Sequence, residues 1–503
     1  MGQLFIFGFS GQAYDTHLDS LIRDLRPGGV VVFGRNILNA RQVVSLNRSL
    51  QRAAITASGV PLLIALDQEG GDVSRIRLSP PIPSALALGQ TRDETLAERM
   101  GYLIGSVLAP LGFNMNLAPV LDLSDPNSRS FIGTRSFGGN PQLVSQMASA
   151  YALGLTQAGV LSTGKHFPGH GNVLSDSHKD LPTKEESLTQ MISSDLRPFS
   201  LFMKNVKAPA IMVAHVAYPM IDPSRTPATF SKPILSGILR NQLQYQGLVI
   251  TDDIEMAATH GVGNFEERAI RAIEAGADLV MVAWSREAQR KAVAAVLRAV
   301  KERRIPEEII ERAVRRILTT KYNYSSLRSA PLPNIETFRQ IVKSNSLRDL
   351  TDLILDKNFF RSMNGLSEKS FVRTRNPVYI ISTKSDFFES FHNSSLLQSI
   401  WVPYRTNDPD LQKTLDQNPN SYAVLYLVGP RTASFANNLP RAIKQRLLII
   451  NATVPGIVRH VDDFLGVLNI YSRHPGAGRL AAENLIRPAP PKQRLKDTKN
   501  RTR

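Results

Sequence analysis

Residues Thr163 to Pro182 read TGKHFPGHGNVLSDSHKDLP, with His166, His170 and His178 set among Gly164, Gly169, Gly171 and Pro168. Glycine frees the backbone and proline removes a donor, so this is not the interior of a regular helix or strand. The apolar run Gly159-Val160-Leu161 leads into it, and a helix-like segment follows from about Lys184. That is the profile of a polar loop leaving the end of a buried strand, the edge on which barrel enzymes keep their chemistry.

The flanking chain repeats the profile as far as about residue 325. Candidate strands are Leu4–Phe9, Val30–Phe33, Leu62–Asp67, Asn114–Ala118, Val160–His166, Ile211–His215, Leu248–Asp252 and Leu279–Ala283. Between them Thr95–Ala109, Pro141–Ala158, Lys184–Arg197, Lys232–Leu243, Glu266–Ala275 and Arg286–Arg303 have helical patterning. Strands that are apolar throughout, each followed by a helix, imply a parallel sheet covered on both faces. About eight such units is the size of a (β/α)8 TIM-type barrel. An open doubly wound sheet is the alternative, without a Gly-x-Gly-x-x-Gly turn to support it. A last barrel helix is expected over Pro306–Tyr322, and SSLRSAPLPN (Ser325–Asn334) suits a linker. Beyond it, a helix at Leu347–Leu355 and strands Val378–Ser382, Tyr422–Val428, Leu447–Asn451 and Val467–Tyr471 predict a smaller α/β domain. The expected organisation is therefore an α/β chain: barrel 1–325, linker 326–340, α/β C-terminal domain 341–487 and a basic, disordered tail 488–503.

A chain of 503 residues is too long for one ordinary core, which agrees with two domains. No apolar run reaches the roughly 20 residues that a membrane span needs. The start, MGQLFIFGFSGQAYD, lacks a basic leader region and reads as a first buried strand. There is no cysteine, which excludes disulfides and thiol catalysis and fits a reducing, cytoplasmic compartment. The net charge of +17 lies partly in the tail, where six basic residues face one acid over Lys492–Arg503. No nucleic-acid-binding motif accompanies that charge, so no nucleic-acid partner is expected.

Polar residues at strand ends mark the candidate site. The third strand runs out as Asp67-Gln68-Glu69-Gly70-Gly71, with Arg75 beyond. Asp67 either caps that turn or accepts hydrogen bonds from a ligand, with Arg75 beside it. Lys165 and His166 close the strand before the histidine loop, and a buried lysine is costly unless paired. His215 ends its own strand and equally suits a satisfied core histidine. In Thr251-Asp252-Asp253, successive side chains of an extended strand point to opposite sides, so the two acids should not share one job. With no cysteine and no His-Glu-x-x-His pair, the three histidines define no metal geometry, and no metal or cofactor is expected.

Lys165-His-Phe-Pro-Gly-His-Gly171, Asp176-Ser-His178 and Leu181-Pro182 together resemble the signature of the β-N-acetylglucosaminidases of glycoside hydrolase family 3, of the peptidoglycan-recycling type. The resemblance spans roughly residues 1–325. It implies that Asp67, Arg75, Arg135 (within Arg-Ser-Phe-Gly), Lys165 and His166 bind the sugar. It makes Asp252, the acid directly after Thr251, the nucleophile, and His178 the acid/base oriented by Asp176. Asp253 is then left to brace the loop or cap the next helix. Departures are Asp72, where many relatives have arginine, Asn172-Val173 in place of Asp-Thr, and Glu255 in place of a small residue. Imidazole titrates near neutral pH and an adjacent carboxylate sets its tautomer, so the dyad suits acid/base work.

The activity so implied is retaining hydrolysis of terminal β-linked N-acetylglucosamine, with GlcNAc-containing wall fragments (muropeptides) as substrate and recycling of the wall as context. Alternatives are attack by the substrate's own acetamido oxygen, phosphorolysis, a plain β-glucosidase, and a wall-fragment sensor without turnover. The oligomeric state stays open.

Overall fold

A computed structural model describes residues 1–125, 130–171, 173, 180–206, 209–324, 333–363, 366, 372–374, 376–383, 385–395, 397–404, 413–414, 416–474 and 476–488. The chain divides into two compact units, Met1–Ile354 and Leu355–Arg503.

In the first unit the strands are β1 (Phe5–Phe7), β2 (Gly29–Val31), β3 (Leu63–Leu66), β4 (Gln68–Gly70), β5 (Val73–Ser74), β6 (Met115–Asn116), β7 (Leu161–Phe167), β8 (Ala210–Val213), β9 (Val249–Asp253) and β10 (Leu279–Val282). Eight of them close in the order β1-β10-β9-β8-β7-β6-β3-β2. Neighbours are parallel throughout; Phe5 pairs with Val280 to close the ring and Ile6 pairs with Gly29. β4 and β5 form a separate antiparallel hairpin beyond β3. The expected (β/α)8 barrel is therefore present, each of its strands falling inside or within a residue of an apolar run. Those runs are buried on both faces, as in β3 and β8, where every residue is buried.

Helices cover the outside. Asp15, Asn39, Asp93, Asn140, Asn264 and Ser285 each cap one by accepting from a backbone N–H of its first turn. One expected helix is corrected: Lys184–Arg197 is Leu188–Ser193 followed by Leu196–Asn205. Thr183 and Lys184 stay extended against Ala217, and Ser187 and Gln190 then form a capping box that fixes a later start.

Residues 325–332 of the expected linker lie outside the described residues. From Pro333 onward the segment is not a free tether: the Pro333 carbonyl accepts from Arg48 Nη2 at 2.8 Å, and Asn334 caps a helix at Ile335–Lys343. The division at 354/355 falls within the helix Ser346–Met363.

The second unit holds β11 (Val372–Thr374), β12 (Val378–Ser382), β13 (Ser399–Pro403), β14 (Tyr422–Leu427), β15 (Leu447–Asn451), β16 (Gly466–Asn469) and β17 (Ile486–Pro488). Five make a parallel sheet in the order β13-β12-β14-β15-β16, with apolar clusters on both faces. β11 pairs with β17. This is the smaller α/β region expected. Of the tail, residues 489–503 lie outside the described residues. Among the described residues no helix is long and apolar enough to cross a membrane.

Candidate active site

The chemistry gathers where β3, β6, β7 and β9 end, at the C-terminal mouth of the barrel. β3 delivers Asp67 and, through the hairpin, Glu69; β7 carries Lys165 and His166; β9 ends in Asp252 and Asp253. Asn116 of β6 ties the hairpin down, its Oδ1 accepting from Gln68 N and its Nδ2 donating to Gln68 O, both at 3.0 Å.

The centre is an ion cluster. Lys165 Nζ lies 2.9 Å from Asp67 Oδ1 and 2.6 Å from Glu69 Oε1. Arg135 grips Glu69 with both prongs, Nε to Oε2 and Nη2 to Oε1, each at 2.8 Å. Arg75 Nη2 is 3.4 Å from Asp67 Oδ2. Burial pushes the Glu69 carboxyl up, but Arg135 and Lys165 outweigh it and hold the group well below the usual carboxylate range. Burial likewise pulls the Lys165 ammonium down, and Asp67 and Glu69 more than reverse it. The two buried charges, Glu69 and Lys165, are thus fixed and paired before any substrate arrives, the preorganised condition that transition-state stabilisation needs.

A second carboxylate organises the histidines. Asp122, fully buried, accepts from the His170 N–H at 2.6 Å and pairs with His166 Nδ1 at 2.6 Å. The pairing makes Nδ1 of His166 the protonated nitrogen and leaves Nε2 for a ligand. Burial pushes the Asp122 carboxyl up, and His166 and the His170 N–H hold it below its ordinary value. His170 is itself pulled down to about 4, first by burial and then by His166, so its ring is neutral near pH 7. Gly171 follows because a Cβ there would sit 1.7 Å from the Leu123 carbonyl oxygen.

The neighbouring acids of β9 separate as alternation requires. Asp252 is partly exposed, Asp253 buried. Burial raises Asp252, but His215, His166 and the Asp253 N–H lower it more, so it stands ionised below its ordinary value. Asp253 is pushed up to about 8 by burial, Glu255 and Asp252. It accepts from the Glu255 and Ala283 N–H groups, each at 3.2 Å, so it braces the loop. Environments that drive adjacent carboxyls apart assign them different roles. His215 is buried, with Nε2 donating to the Asp253 carbonyl at 2.9 Å and Nδ1 2.7 Å from Thr229 Oγ1. It anchors the β9 backbone from beneath.

The raised Asp253 pKa has a stability consequence with a definite sign. The folded protein holds a proton that the unfolded chain releases near 3.8, so the contribution is complete below that pH and is lost as pH rises through about 8. Asp253→Asn is expected to flatten the fall in Tm between pH 5 and 8, checked by thermal unfolding of both proteins across that range.

Of the residues expected in the site, Asp67, Arg75, Arg135 and Lys165 meet in the ion cluster, while His166 and Asp252 belong to the same mouth. Asp176 and His178 lie outside the described residues. Two members of the arrangement were not assigned a role from sequence, Glu69 and Asp122. Their signal was an acid at the end of an apolar run, the same signal that marked Asp67. Among the described residues no group of three His, Asp or Glu side chains converges as a metal site.

Residues 1–320 match the family described as Glycosyl hydrolase family 3 N terminal domain. A protein named beta-hexosaminidase from Pseudomonas aeruginosa is 39% identical over 280 residues, which is 55% of this chain and 81% of that protein. The structure of a glycoside hydrolase family 3 beta-N-acetylglucosaminidase from Paenibacillus sp. str. FPU-7 superposes with a TM-score of 0.83 at 29% identity, covering 96% of this chain and 94% of that one. A beta-glucoside phosphorylase shares the fold at 21% identity, with a TM-score of 0.76 over 96% of this chain and 90% of its own.

Proposed function

This chain belongs to glycosyl hydrolase family 3 and is a glycoside hydrolase, and from that premise we propose that it removes terminal β-linked N-acetylglucosamine with retention of configuration. The observation that carries the proposal is the pair on β9: Asp252 is ionised and reachable at the barrel mouth, which also holds the preorganised ion cluster, while Asp253 is buried and braced. The names of the relatives supply the sugar, a hexosamine in one case and N-acetylglucosamine in the other.

In this scheme Asp67, Arg75, Arg135, Lys165 and His166 hold the hydroxyls of the terminal sugar. Asp67 accepts; Lys165 and Arg135, already oriented by Glu69, donate. Asp252 Oδ attacks the anomeric carbon as the bond to the leaving oxygen breaks, giving a glycosyl-enzyme. His178, oriented by Asp176, gives the leaving oxygen its proton and then takes one from the water that releases the sugar. The roles of that dyad rest on the resemblance of Asp176-Ser177-His178 to the family's signature. The same resemblance supplies muropeptide fragments as substrate and cytoplasmic wall recycling as setting, and a chain without cysteine suits a reducing compartment.

The test is nitrophenol release from β-GlcNAc and β-glucose nitrophenyl glycosides, in inert buffer and in phosphate, for wild type and His178→Ala. Preference for β-GlcNAc, indifference to phosphate and a fall of roughly 10²- to 10⁴-fold in the variant are expected. A sugar phosphate product moves the enzyme to the phosphorylases; absent turnover with intact sugar binding makes it a sensor.

A further inference from the structure

Trp284 stands at the same barrel mouth with 60% of its surface exposed, in the turn between β10 and the helix Arg286–Lys301. Its backbone is held from two sides: its own N–H donates to Glu255 Oε2 at 2.6 Å, and the Ser285 N–H donates to Glu255 Oε1 at 3.0 Å. The preceding residue, Ala283, donates its N–H to Asp253, the neighbour of the nucleophile candidate, at 3.2 Å. The indole is braced as well. Phe33, from the loop after β2, stacks on it with ring centres 5.8 Å apart and planes 25° off parallel. Arg35 Cζ lies 3.8 Å from the indole centre and 4.4 Å from that of Phe33. The guanidinium is tied in place, Nε donating to the Phe9 carbonyl at 3.1 Å and Nη2 to the Ala283 carbonyl at 2.9 Å. β1, β2 and β10, neighbours in the ring, thus build one fixed aromatic step on the rim.

An indole packed against a cation and a second ring, on a backbone pinned by Glu255, yet left mostly to water, is not core packing. A rigid amphipathic ring with few rotors to freeze is a low-entropy surface for a ligand that has an apolar face and a polar edge. A β-linked pyranose is such a ligand, because its axial C–H bonds crowd on its ring faces and its hydroxyls point outward. The ion cluster of Asp67, Glu69, Lys165 and Arg135 accounts for the sugar being released. We infer that Trp284, braced by Phe33 and Arg35, is a leaving-group subsite that stacks a second pyranose ring, so that the enzyme selects a sugar over a small aglycone. The inference rests on the hydrolase scheme for its geometry; its test does not.

Only Trp284 and Trp401 are present in the chain, and Trp401 lies on β13 of the second unit. In the full-length Trp401→Phe, Asp252→Asn protein all indole emission therefore comes from Trp284, with turnover suppressed. Titration with N,N′-diacetylchitobiose is expected to shift that emission to the blue, whereas GlcNAc alone leaves it in place. In parallel, Trp284→Ala is expected to lower the ratio of kcat/KM for chitobiose over methyl β-N-acetylglucosaminide by about tenfold, with Trp284→Phe restoring most of it. Emission unmoved by the disaccharide overturns the subsite whether or not the sugar is hydrolysed, and in an active enzyme a ratio changed by less than about twofold does the same. Emission that responds while the wild-type protein cleaves neither glycoside leaves the subsite standing and removes the hydrolase scheme instead.

Discussion

Asp252→Ala is expected to lower turnover of nitrophenyl β-N-acetylglucosaminide by roughly 10³- to 10⁵-fold, the scale seen when a residue that forms the covalent intermediate is deleted. The fold should survive the change. Among the described residues Asp252 makes one local hydrogen bond, accepting from the Asp253 N–H at 2.8 Å, and it is partly exposed, so no described buried partner is orphaned. Tm within a few degrees of wild type separates chemical from structural loss. Added azide then gives a positive readout: it enters the space left by the carboxylate and yields a glycosyl azide of inverted configuration. A fluorinated glycoside should leave a covalent adduct on Asp252 in the wild type. Turnover that persists in Asp252→Ala, without an adduct, assigns the attack to the substrate's acetamido oxygen.

Glu69→Ala is expected to be the most destabilising single change at the site. Glu69 is 6% exposed and is the shared counter-ion of Lys165 and Arg135. Removing it leaves Arg135 without its bidentate partner and leaves the buried Lys165, among the described residues, with Asp67 as its remaining carboxylate. Breaking a buried pair in this way costs about 3–5 kcal/mol, because the surviving charges stay desolvated. Thermal unfolding of the variant should show a Tm lower by roughly 5 °C, and any folded fraction should bind GlcNAc weakly. Glu69→Gln keeps the shape and part of the hydrogen bonding, so its loss should be smaller in Tm and still large in KM. Equal stability of Glu69→Ala and wild type would mean that the cluster is hydrated and not preorganised.

Glu69 also shows where sequence stops being legible. Each barrel strand announces itself locally, because a strand buried on both faces is an uninterrupted apolar run, and Leu62–Asp67 or Leu279–Ala283 has no competing pattern. Polar residues at the ends of those runs mark the mouth, which is how Asp67, Lys165 and Asp252 stand out. Nothing local says which acid meets which base. Glu69 and Arg135 are 66 residues apart, and Asp122 and His170 are 48 apart; only the closed ring brings them together. Strands also go unseen when they lie at an edge. β13 has only the short apolar run Ile400-Trp401-Val402 and mostly exposed residues, and β11 and β17 are three-residue pieces. The helix start expected at Lys184 was wrong for a related reason: the bridge of Thr183 to Ala217 is a long-range contact that overrides local helical patterning.

The pairing of Phe5 with Val280 bears on how such a chain is made. A ribosome releases β1 first and β10 last of the ring, so the opening strand must wait, apolar on both faces, for a partner synthesised after every other wall of the barrel. Until then β1 is an open edge that invites pairing with other chains. The closing contact has the greatest sequence separation in the barrel and so the largest loop entropy to overcome, which makes it the natural slow step. Any nascent or truncated product ending before residue 279 holds a sheet with two raw edges, and it falls to chaperones or aggregation. The seam beside β10 that carries Trp284 and braces Asp253 is therefore also the last part of the strand ring to exist.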